Sequence, residues 1–396
     1  MKRRNMYILI ALCFLVACGI IAFRMAGGAA NSGSGSGGAS GSGSSSGSGI
    51  SSNSGSSRKG AMTTGDLFEE IMSSPAYSSR TQDYLDAHEV GLMYGNDSTA
   101  EAVYNSIAKI VEKKDTMLCG SGAIFQSMNS TVTMNLGVIF RLKGINLTVS
   151  GACASGSHAI GLGALLIQNG LQEMVVCGGA QEVNMAATGS FDGISAFSMR
   201  EDNPTAASRP FDRDRDGLIP SGGAATVILE SYESAVRRGA PILAEVLGYG
   251  FSANGDHISS PNVDGPARSL EMAIRRSGVS LQEIGYVNAH ATSTHVGDAN
   301  EAKALLRVLG EKTVPITSTK SQTGHEMWMA GASEVIYSIL MMKGGFVAPN
   351  INFENPDEDS CHLWIPATRL ERKFDTFLSN SFGFGGTNST LIIRNV

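Results

Sequence analysis

Cys153 lies where the sequence predicts a sharp turn between a strand and a helix. An apolar stretch precedes it, Gly151 and Gly156 flank it, and apolar residues at helical spacing follow as far as Asn169. The positive end of a helix favours a thiolate over a thiol, so a cysteine here can act as a nucleophile. A buried structural cysteine is an equally common use of this residue type. The neighbouring groups must therefore decide between the two interpretations.

Two histidines are predicted at the carboxyl ends of strands, His290 in the segment NAHATSTHVGD and His325 in TKSQTGHEMWMAGASE. In α/β proteins these strand ends form the rim where ligands bind. One such histidine is more often a satisfied core group than a catalyst. Two of them on the rim that also carries Cys153 indicate a shared site. Lys320 and Glu334 flank His325, and a structural ion pair is the simpler interpretation of these two charges.

Strand-like and helical runs alternate from about Asp66 to the end of the sequence. The apolar segments INLTVS and EMVVCGGA are predicted strands, and the helix after Cys153 joins them into a β-α-β unit, which implies a parallel sheet. The pattern restarts after the segment ILAEVLGYGFSANGD. The sequence therefore predicts two successive α/β halves, residues 61–240 and residues 241–396.

The composition suits a buried globular core and excludes several classes of function. Of 396 residues, 42% are hydrophobic and 17% are charged. Residues 1–60 contain six Lys or Arg and no Asp or Glu, so the rest of the chain carries 24 basic against 36 acidic side chains, which argues against nucleic-acid binding. None of the six cysteines forms a CxxC pair. The calcium-like run from Asp212 to Gly217 has Gly223 where a glutamate ligand is needed, so no metal site is predicted.

Residues 1–27 are predicted to be a membrane or signal-like segment. Basic residues at positions 2–4 precede an apolar run from Met6 to Phe23, which is close to the minimum length of a membrane-spanning helix. The stretch LVAC that ends at Cys18 also resembles the lipobox of a bacterial lipoprotein, so an exported, lipid-anchored protein is an alternative. Residues 28–60 are almost entirely Gly, Ser, Ala and Asn, which predicts a disordered linker.

Four motifs together resemble those of the β-ketoacyl-acyl-carrier-protein synthases, the condensing enzymes of fatty acid synthesis in the thiolase-fold superfamily. They are GACA around Cys153, HATST from His290, KSQTGH ending at His325, and NSFGFGGTN near the C terminus. The resemblance extends from about Gly91 to Val396 and is strongest to the elongating subgroup with a Cys-His-His triad. It implies a thiolase-like α/β fold with two similar halves in a layered αβαβα arrangement, preceded here by the N-terminal apolar helix and the disordered Gly/Ser linker.

The resemblance also implies catalytic and substrate-binding roles for the motif residues. Cys153 would take the acyl chain as a thioester. His290 and His325 would stabilise the enolate that forms when a malonyl thioester loses carbon dioxide. Thr292 and Thr294 would contact the pantetheine or malonyl group.

Supporting roles are implied for the residues around this triad. Lys320 and Glu334 would form a charge network that fixes His325. The backbone N–H of Phe384 would complete an oxyanion hole with that of Cys153. Phe384 would also serve as a gate between the acyl and malonyl sides of the site, and Gly383 and Gly385 would let it swing.

Substrates and partners follow from the same resemblance. Acyl groups would arrive on the phosphopantetheine of acyl carrier protein, so malonyl and acyl thioesters are the expected substrates and no metal, flavin or nucleotide cofactor is expected. A homodimer, or a heterodimer of two ketosynthases, is expected. The catalytic body is expected in the cytoplasm with its carrier protein, and residues 6–23 could tether it to a membrane.

The N-terminal region departs from the family's pattern. Members open with a strand reading like VVITGxG, and none is visible here, so the opening strand of the first half is predicted to be missing. This departure motivates a second hypothesis, a non-catalytic, membrane-tethered ketosynthase-like protein with a damaged first half. A third is a thiolase-type enzyme acting on coenzyme A thioesters, although the HATST and KSQTGH pairing argues against it. The retained Cys153 favours the elongating ketosynthase.

Overall fold

The computed structural model describes residues 6–9 and 79–396 of the chain. The elements of the first half are β1 (Met6–Leu9), α1 (Ser79–Ala87), β2 (Gly91–Gly95), α2 (Ala100–Lys113), α3 (Ala123–Gln126), α4 (Thr131–Ile139), β3 (Asn146–Val149), α5 (Ser155–Gln168), β4 (Met174–Gln181), α6 (Met185–Thr188), β5 (Gly223–Ser231) and α7 (Tyr232–Arg237). Those of the second half are β6 (Ala244–Ala253), α8 (Asp264–Ser277), β7 (Tyr286–Asn288), α9 (His295–Leu309), β8 (Ile316–Thr317), α10 (Lys320–Thr323), α11 (Ala330–Gly344), β9 (Phe346–Val347), β10 (Leu370–Glu371), β11 (Thr376–Gly383) and β12 (Thr387–Asn395).

The strand order shows that the two halves repeat one topology. Ten strands form one sheet in the order β3-β2-β4-β5-β1-β6-β12-β11-β7-β8, and β9 pairs with β10 separately. If the sheet strands are numbered within each half, both halves run 3-2-4-5-1. In both halves the second strand is parallel to its two neighbours and the fifth is antiparallel to the fourth and the first. The sequence prediction of two similar α/β halves is confirmed at the level of topology.

Side chains alternate along the strands between two apolar layers, as the pleat of a sheet requires. On β4, Val175 and Cys177 enter a core with α5, whereas Met174 and Val176 enter another with α4. The second half is covered in the same way, because its strands face α8 and α9 on one side and α11 on the other. The core that contains α5 and α11 draws on strands of both halves.

Helices α5 and α11 therefore form a central layer that both halves share. They contact each other, and each contacts strands from both halves. Helix α5 is covered around most of its circumference, because Ile160 and Gly161 are buried on one side and Leu162, Leu165 and Leu166 pack against the core on others, as expected of a helix enclosed by other elements. The order of layers is that of a thiolase-like fold.

The N terminus differs from the sequence prediction in one respect. Residues 6–9, expected to begin an apolar helix, form strand β1, in which Tyr7 pairs antiparallel with Glu230 of β5 and Glu245 of β6. Because β1 takes the place in the first half that β6 takes in the second, a strand of different sequence occupies the position of the family's opening strand. Hydropathy alone cannot distinguish a short buried strand from a helix, which explains the error.

The remainder of the predicted apolar helix and the Gly/Ser linker at 28–60 lie outside the described residues. In the two ranges that the structure does describe, no helix is both long enough and apolar enough to cross a bilayer.

Candidate active site

A short 3-10 turn, Ala152–Ala154, presents Cys153 between β3 and α5. Ala152 adopts a left-handed conformation with φ of 46°, which is costly for a residue with a Cβ atom. Side chains hold this turn, because the N–H of Ala152 donates to Asp97 Oδ2 at 2.8 Å and the hydroxyl of Ser155 donates to the Ala152 carbonyl at 2.6 Å. Cys153 itself is only 6% exposed. The nucleophile candidate is therefore enclosed and rigidly placed.

Small residues allow the strands to approach this turn. A Cβ atom added to Gly95, at the end of β2, would lie 2.3 Å from the backbone nitrogen of Gly156 in α5. A Cβ on Gly383, at the end of β11, would lie 2.8 Å from the carbonyl oxygen of Gly151. Both distances are far below a normal contact, so only glycine lets strands from both halves meet the turn.

Burial dominates the electrostatics of the thiol. It raises the pKa of Cys153 to about 12, while the positive charge of Lys320 opposes the rise and the negative charges of Asp97 and Glu334 add to it. The backbone of the turn does lower the pKa of Cys153, in the predicted direction, but it does not determine the net result. Desolvation of a fully enclosed sulfur outweighs the stabilising charges around it.

The structure brings His290 and His325 together. Their ring centroids lie 5.3 Å apart with the planes at 83°, and both side chains are buried. Burial and the nearby charge of Lys320 lower the pKa of both imidazoles well below the usual value for histidine. Both rings are therefore neutral at physiological pH.

Backbone contacts orient the two histidines. The N–H of Met327 donates to Nδ1 of His325 at 3.3 Å, which places the ring proton of His325 on Nε2. The backbone N–H of His290 donates to Glu301 Oε1 at 2.9 Å. The ring Nδ1 of His290 is buried and has no hydrogen-bond partner among the described residues. Each ring thus keeps a nitrogen, Nδ1 of His290 and Nε2 of His325, for which the described residues provide no hydrogen bond.

Lys320 links the separate parts of the site. Its ammonium group forms an ion pair with Glu334 of α11, and both side chains are almost completely buried. Burial raises the pKa of Glu334, and the ion pair with Lys320 opposes that rise. The charge of Lys320 lowers the pKa of Cys153, His290 and His325. These groups, drawn from distant segments of the chain, therefore all lie within range of the charge of one buried ammonium.

A glycine turn carries Phe384 to the same place. The 3-10 turn Phe384–Gly386 contacts the turn of Cys153, and Gly385 and Gly386 have φ of 78° and 73°, which glycine adopts without strain. The ring of Phe384 is 40% exposed and stacks on Phe191 with centroids 5.8 Å apart. Phe191 belongs to a buried apolar cluster that includes Cys153 and Trp328. Phe384 therefore lies at the edge of an apolar wall beside the thiol.

The two predicted threonines lie at the start of α9, next to His290 in sequence. Their hydroxyl oxygens are 3.1 Å apart, and the N–H of Thr292 donates to Asp298 Oδ1 at 2.9 Å. Thr294 is the N-cap residue of α9. Both hydroxyls thus stand on a loop anchored by a buried carboxylate.

Sequence reasoning missed three acidic residues of the site. Asp97 binds the turn of Cys153, Glu301 binds the backbone of His290, and Glu326 accepts hydrogen bonds from Ser333 and Tyr337 directly beside His325. Only Asp97 carried a sequence signal, because it follows the short apolar segment GLMYG, which was not recognised as a strand. The other two are recognisable only once the fold is known.

The family comparisons agree with this geometry. Residues 68–235 match the family described as Beta-ketoacyl synthase, N-terminal domain, and residues 243–354 match Beta-ketoacyl synthase, C-terminal domain. The chain is 41% identical over 276 residues to 3-oxoacyl-[acyl-carrier-protein] synthase 1 of Escherichia coli (strain K12), covering 69% of this chain and 67% of the relative. It is 38% identical over 319 residues to the Haemophilus influenzae synthase 1, covering 79% and 77%.

Solved structures share the fold. A β-ketoacyl synthase from Burkholderia phymatum STM815 matches with a TM-score of 0.77 at 35% identity, covering 83% of this chain and 80% of that one. A ketosynthase complex, titled as a type II PKS acyl-carrier protein with its ketosynthase bound to the hexaketide, matches with a TM-score of 0.76 at 29% identity, covering 84% of each.

The fold and the comparisons together define a thiolase-like condensing enzyme of the acyltransferase class. Within that class, the chain belongs to the β-ketoacyl synthase family.

Proposed function

We propose that this protein elongates acyl chains by condensing a malonyl thioester, carried on acyl carrier protein, with an acyl group bound to Cys153. The observation that carries the proposal is that Cys153 shares a buried cluster with Met327 and Trp328, which follow closely after His325, and that the centroid of the His325 ring lies 5.3 Å from that of His290. The related proteins whose names specify acyl carrier protein support the choice of carrier.

The first step is acyl transfer. The sulfur of Cys153 attacks the thioester carbonyl, its proton passes to the departing carrier thiol, and a new thioester forms. The N–H groups of Cys153 and Phe384 are proposed to stabilise the oxyanion, and each such donor contributes about 3 kcal/mol in other enzymes. The raised pKa of Cys153 means that proton loss must accompany attack. The apolar wall of Phe191 and Trp328 receives the acyl chain.

The second step is decarboxylative condensation. The malonyl group loses carbon dioxide, its electron pair becomes an enolate, and the enolate carbon attacks the acyl carbonyl on Cys153. The Cys153 sulfur leaves as the carbon–carbon bond forms and takes up a proton. Neutral His290 and His325 can donate hydrogen bonds to the developing oxyanion without giving up a proton, which is the chemistry this step needs.

The remaining predicted residues are assigned supporting roles. Thr292 and Thr294 bind the pantetheine arm, and the pair Lys320–Glu334 fixes the His325 loop. Phe384 acts as the gate, because the glycines on either side of it leave its backbone free to move.

A second copy of the chain is proposed to pair along β3. This strand is the end of the ten-stranded sheet, and Leu147 on it is 49% exposed. Met128 and Phe125 expose further apolar surface nearby, and a cavity of about 670 Å³ lies beside Met128 and Leu147. An exposed edge with apolar neighbours favours strand addition.

Light scattering should give a dimer that Leu147→Lys dissociates, and a wild-type monomer would contradict this. A ketosynthase heterodimer is the alternative outcome.

The catalytic body is proposed to work in the cytoplasm. If residues 6–9 remain in the sheet, the apolar run that follows them, residues 10–23, is shorter than the roughly 17–25 residues that a spanning helix needs. Fractionation of the full chain should place it with soluble proteins. Recovery in the membrane fraction would instead support the tether.

The full chain should be incubated with acyl carrier protein loaded with acyl and with labelled malonyl groups. We expect an acyl adduct on Cys153 by mass spectrometry, release of labelled carbon dioxide, and a ketoacyl product. Cys153→Ala, the control, should lose the adduct and the product. Failure of the wild-type chain to form the adduct or the product would support the non-catalytic alternative. Faster turnover of coenzyme A thioesters would favour the thiolase-type alternative.

A further inference from the structure

The turn that presents Cys153 depends on a residue outside the motifs. Asp97 lies two residues after β2, whose end pairs with the end of β3 in parallel, Gly95 opposite Val149. Parallel pairing therefore delivers the Asp97 loop to the residues that follow β3. There the carboxylate accepts the N–H of Ala152 at 2.8 Å, and Ala152 is the residue that adopts the left-handed conformation.

The loop that carries Asp97 is itself fixed. The N–H of Asn96 donates to the Val149 carbonyl at 3.2 Å, and the hydroxyl of Ser150 donates to the Asn96 carbonyl at 2.9 Å. The side-chain amide of Asn96 donates to the carbonyl of Asn129 at 2.8 Å. These bonds tie the loop to the two residues at the end of β3 and just after it, and to Asn129, so the sheet fixes the position of the loop that carries the Asp97 carboxylate.

We propose that Asp97 is a positioning residue for Cys153, and that it acts by holding Ala152 in the left-handed conformation that aims the thiol. This inference rests on the proposed function of Cys153. The left-handed conformation is unfavourable for alanine, so the turn needs a partner for its N–H group to remain in place. A charged acceptor such as a carboxylate is the stronger kind.

The negative charge of Asp97 has a second effect on the thiol. It opposes ionisation of Cys153, as does Glu334 of α11, whereas Lys320 of α10 favours ionisation. His290 and His325, beside Lys320, are neutral and add no charge. Removing the charge of Asp97 while keeping an oxygen acceptor should therefore make Cys153 easier to ionise.

The test uses the full chain with Asp97→Ala, Asp97→Asn, Ala152→Gly and the double variant Asp97→Ala/Ala152→Gly. Asp202→Asn, at an exposed turn residue, is the matched control. Two quantities are measured, the rate of acyl transfer from acyl carrier protein to Cys153 and the pH profile of Cys153 alkylation by iodoacetamide. Circular dichroism establishes that each variant is folded.

We expect Asp97→Ala to slow acyl transfer by about tenfold to a hundredfold, since misplacement of a reacting group costs this much. In the Ala152→Gly background the same change should cost only about threefold, because glycine adopts the turn without a partner for its N–H. Asp97→Asn should shift the alkylation profile to lower pH, and Asp202→Asn should not.

An equal cost of Asp97→Ala in both backgrounds would overturn the proposal, as would an alkylation profile of Asp97→Asn identical to that of the wild type. If Asp97→Ala does not fold, the double variant decides: a folded Asp97→Ala/Ala152→Gly supports the proposal, and failure of both variants to fold overturns it. If the wild-type chain takes no acyl group, the proposed function fails, and the alkylation profiles still test Asp97 independently.

Discussion

The nucleophile turn of the first half and the turn after His325 in the second half are built alike. Ala152–Ala154 leads directly into α5, and Met327–Met329 leads directly into α11. Ala152 and Met327, the first residues of the two turns, both have φ of 46°. The second position of the turn holds Cys153 in one half and Trp328 in the other. The same backbone turn thus presents the thiol of Cys153 in the first half and the apolar side chain of Trp328 in the second.

The two turns differ in the group that accepts a hydrogen bond from the N–H of their first residue. The N–H of Ala152 donates to the carboxylate of Asp97, whereas the N–H of Met327 donates to the imidazole of His325. In the first half the Asp97 side chain holds the turn that carries the thiol of Cys153. In the second half the relation is reversed, because the N–H of the turn fixes the ring of His325. The same turn geometry therefore positions a sulfur in the first half and an imidazole in the second.

The halves differ most in their first strands. Strand β6 has ten residues and lies in continuous sequence with its half, whereas β1 has four residues and is separated from α1 by residues 10–78. Yet β1 pairs with both β5 and β6 and so joins the two halves. Strand β1 is therefore the segment whose removal should disturb both halves of the sheet.

Deleting residues 1–9 should have the largest effect. Removal of β1 exposes the edge of β5 and part of the edge of β6, and separates the halves of the sheet. We expect loss of the cooperative thermal transition, or aggregation of the chain. The control removes ten residues within the Gly/Ser tract at 28–60, which should leave the melting temperature unchanged. If the chain without residues 1–9 melts like the wild type, β1 does not complete the first half.

Replacing the buried charges of the second half should have a smaller effect. At the fifth residue of each helix, α5 has the buried Ala159 whereas α11 has Glu334, which pairs with Lys320. Glu334→Ala makes the two helices alike but leaves Lys320 buried without its partner. Breaking such a pair costs about 3–5 kcal/mol in the free energy of unfolding. Denaturant titration measures this loss.

The double variant Lys320→Met/Glu334→Ala provides the control for that prediction. It removes both charges, so it should be less destabilised than Glu334→Ala alone, although condensation should still fall because the His325 loop loses its support. Equal destabilisation of the single and double variants would show that lost packing, not an unpaired charge, is responsible.

The contrast between the halves also explains what the sequence could predict. Cys153, His290 and His325 were found because each occurs in a motif next to a strand end, and the alternating runs predicted the repeated α/β architecture. Strand β1 was missed because its apolar residues begin a longer apolar run, whose hydropathy fits a membrane helix equally well. Glu301 and Glu326 were missed because their partners lie on other elements. The raised pKa of Cys153 was not predicted because burial, its largest cause, depends on residues distant in sequence.

The pH dependence of stability should show the smallest effect. His158 in α5 stands where α11 has Ser333, and its ring bonds Tyr249 Oη at 2.6 Å and Thr387 Oγ1 at 2.8 Å. Burial lowers the pKa of His158 to about 4. Between about pH 6.5 and 4 the unfolded chain therefore binds a proton that the native ring does not, so stability falls as pH falls through this window. The contribution is on the order of 2 kcal/mol once residual solvent exposure is discounted.

His158→Gln should reduce this acid sensitivity, because glutamine can bond the same hydroxyl groups and does not titrate. His290 and His325, whose pKa values are also lowered by burial, will retain part of the slope in the variant. Unfolding free energies measured at pH 7 and pH 5 should therefore differ less for His158→Gln than for the wild type. His257→Gln is the matched control, since that ring is exposed and bonds only within its own loop. If both variants lose stability on acidification as the wild type does, protonation of His158 does not contribute to the acid sensitivity of the protein.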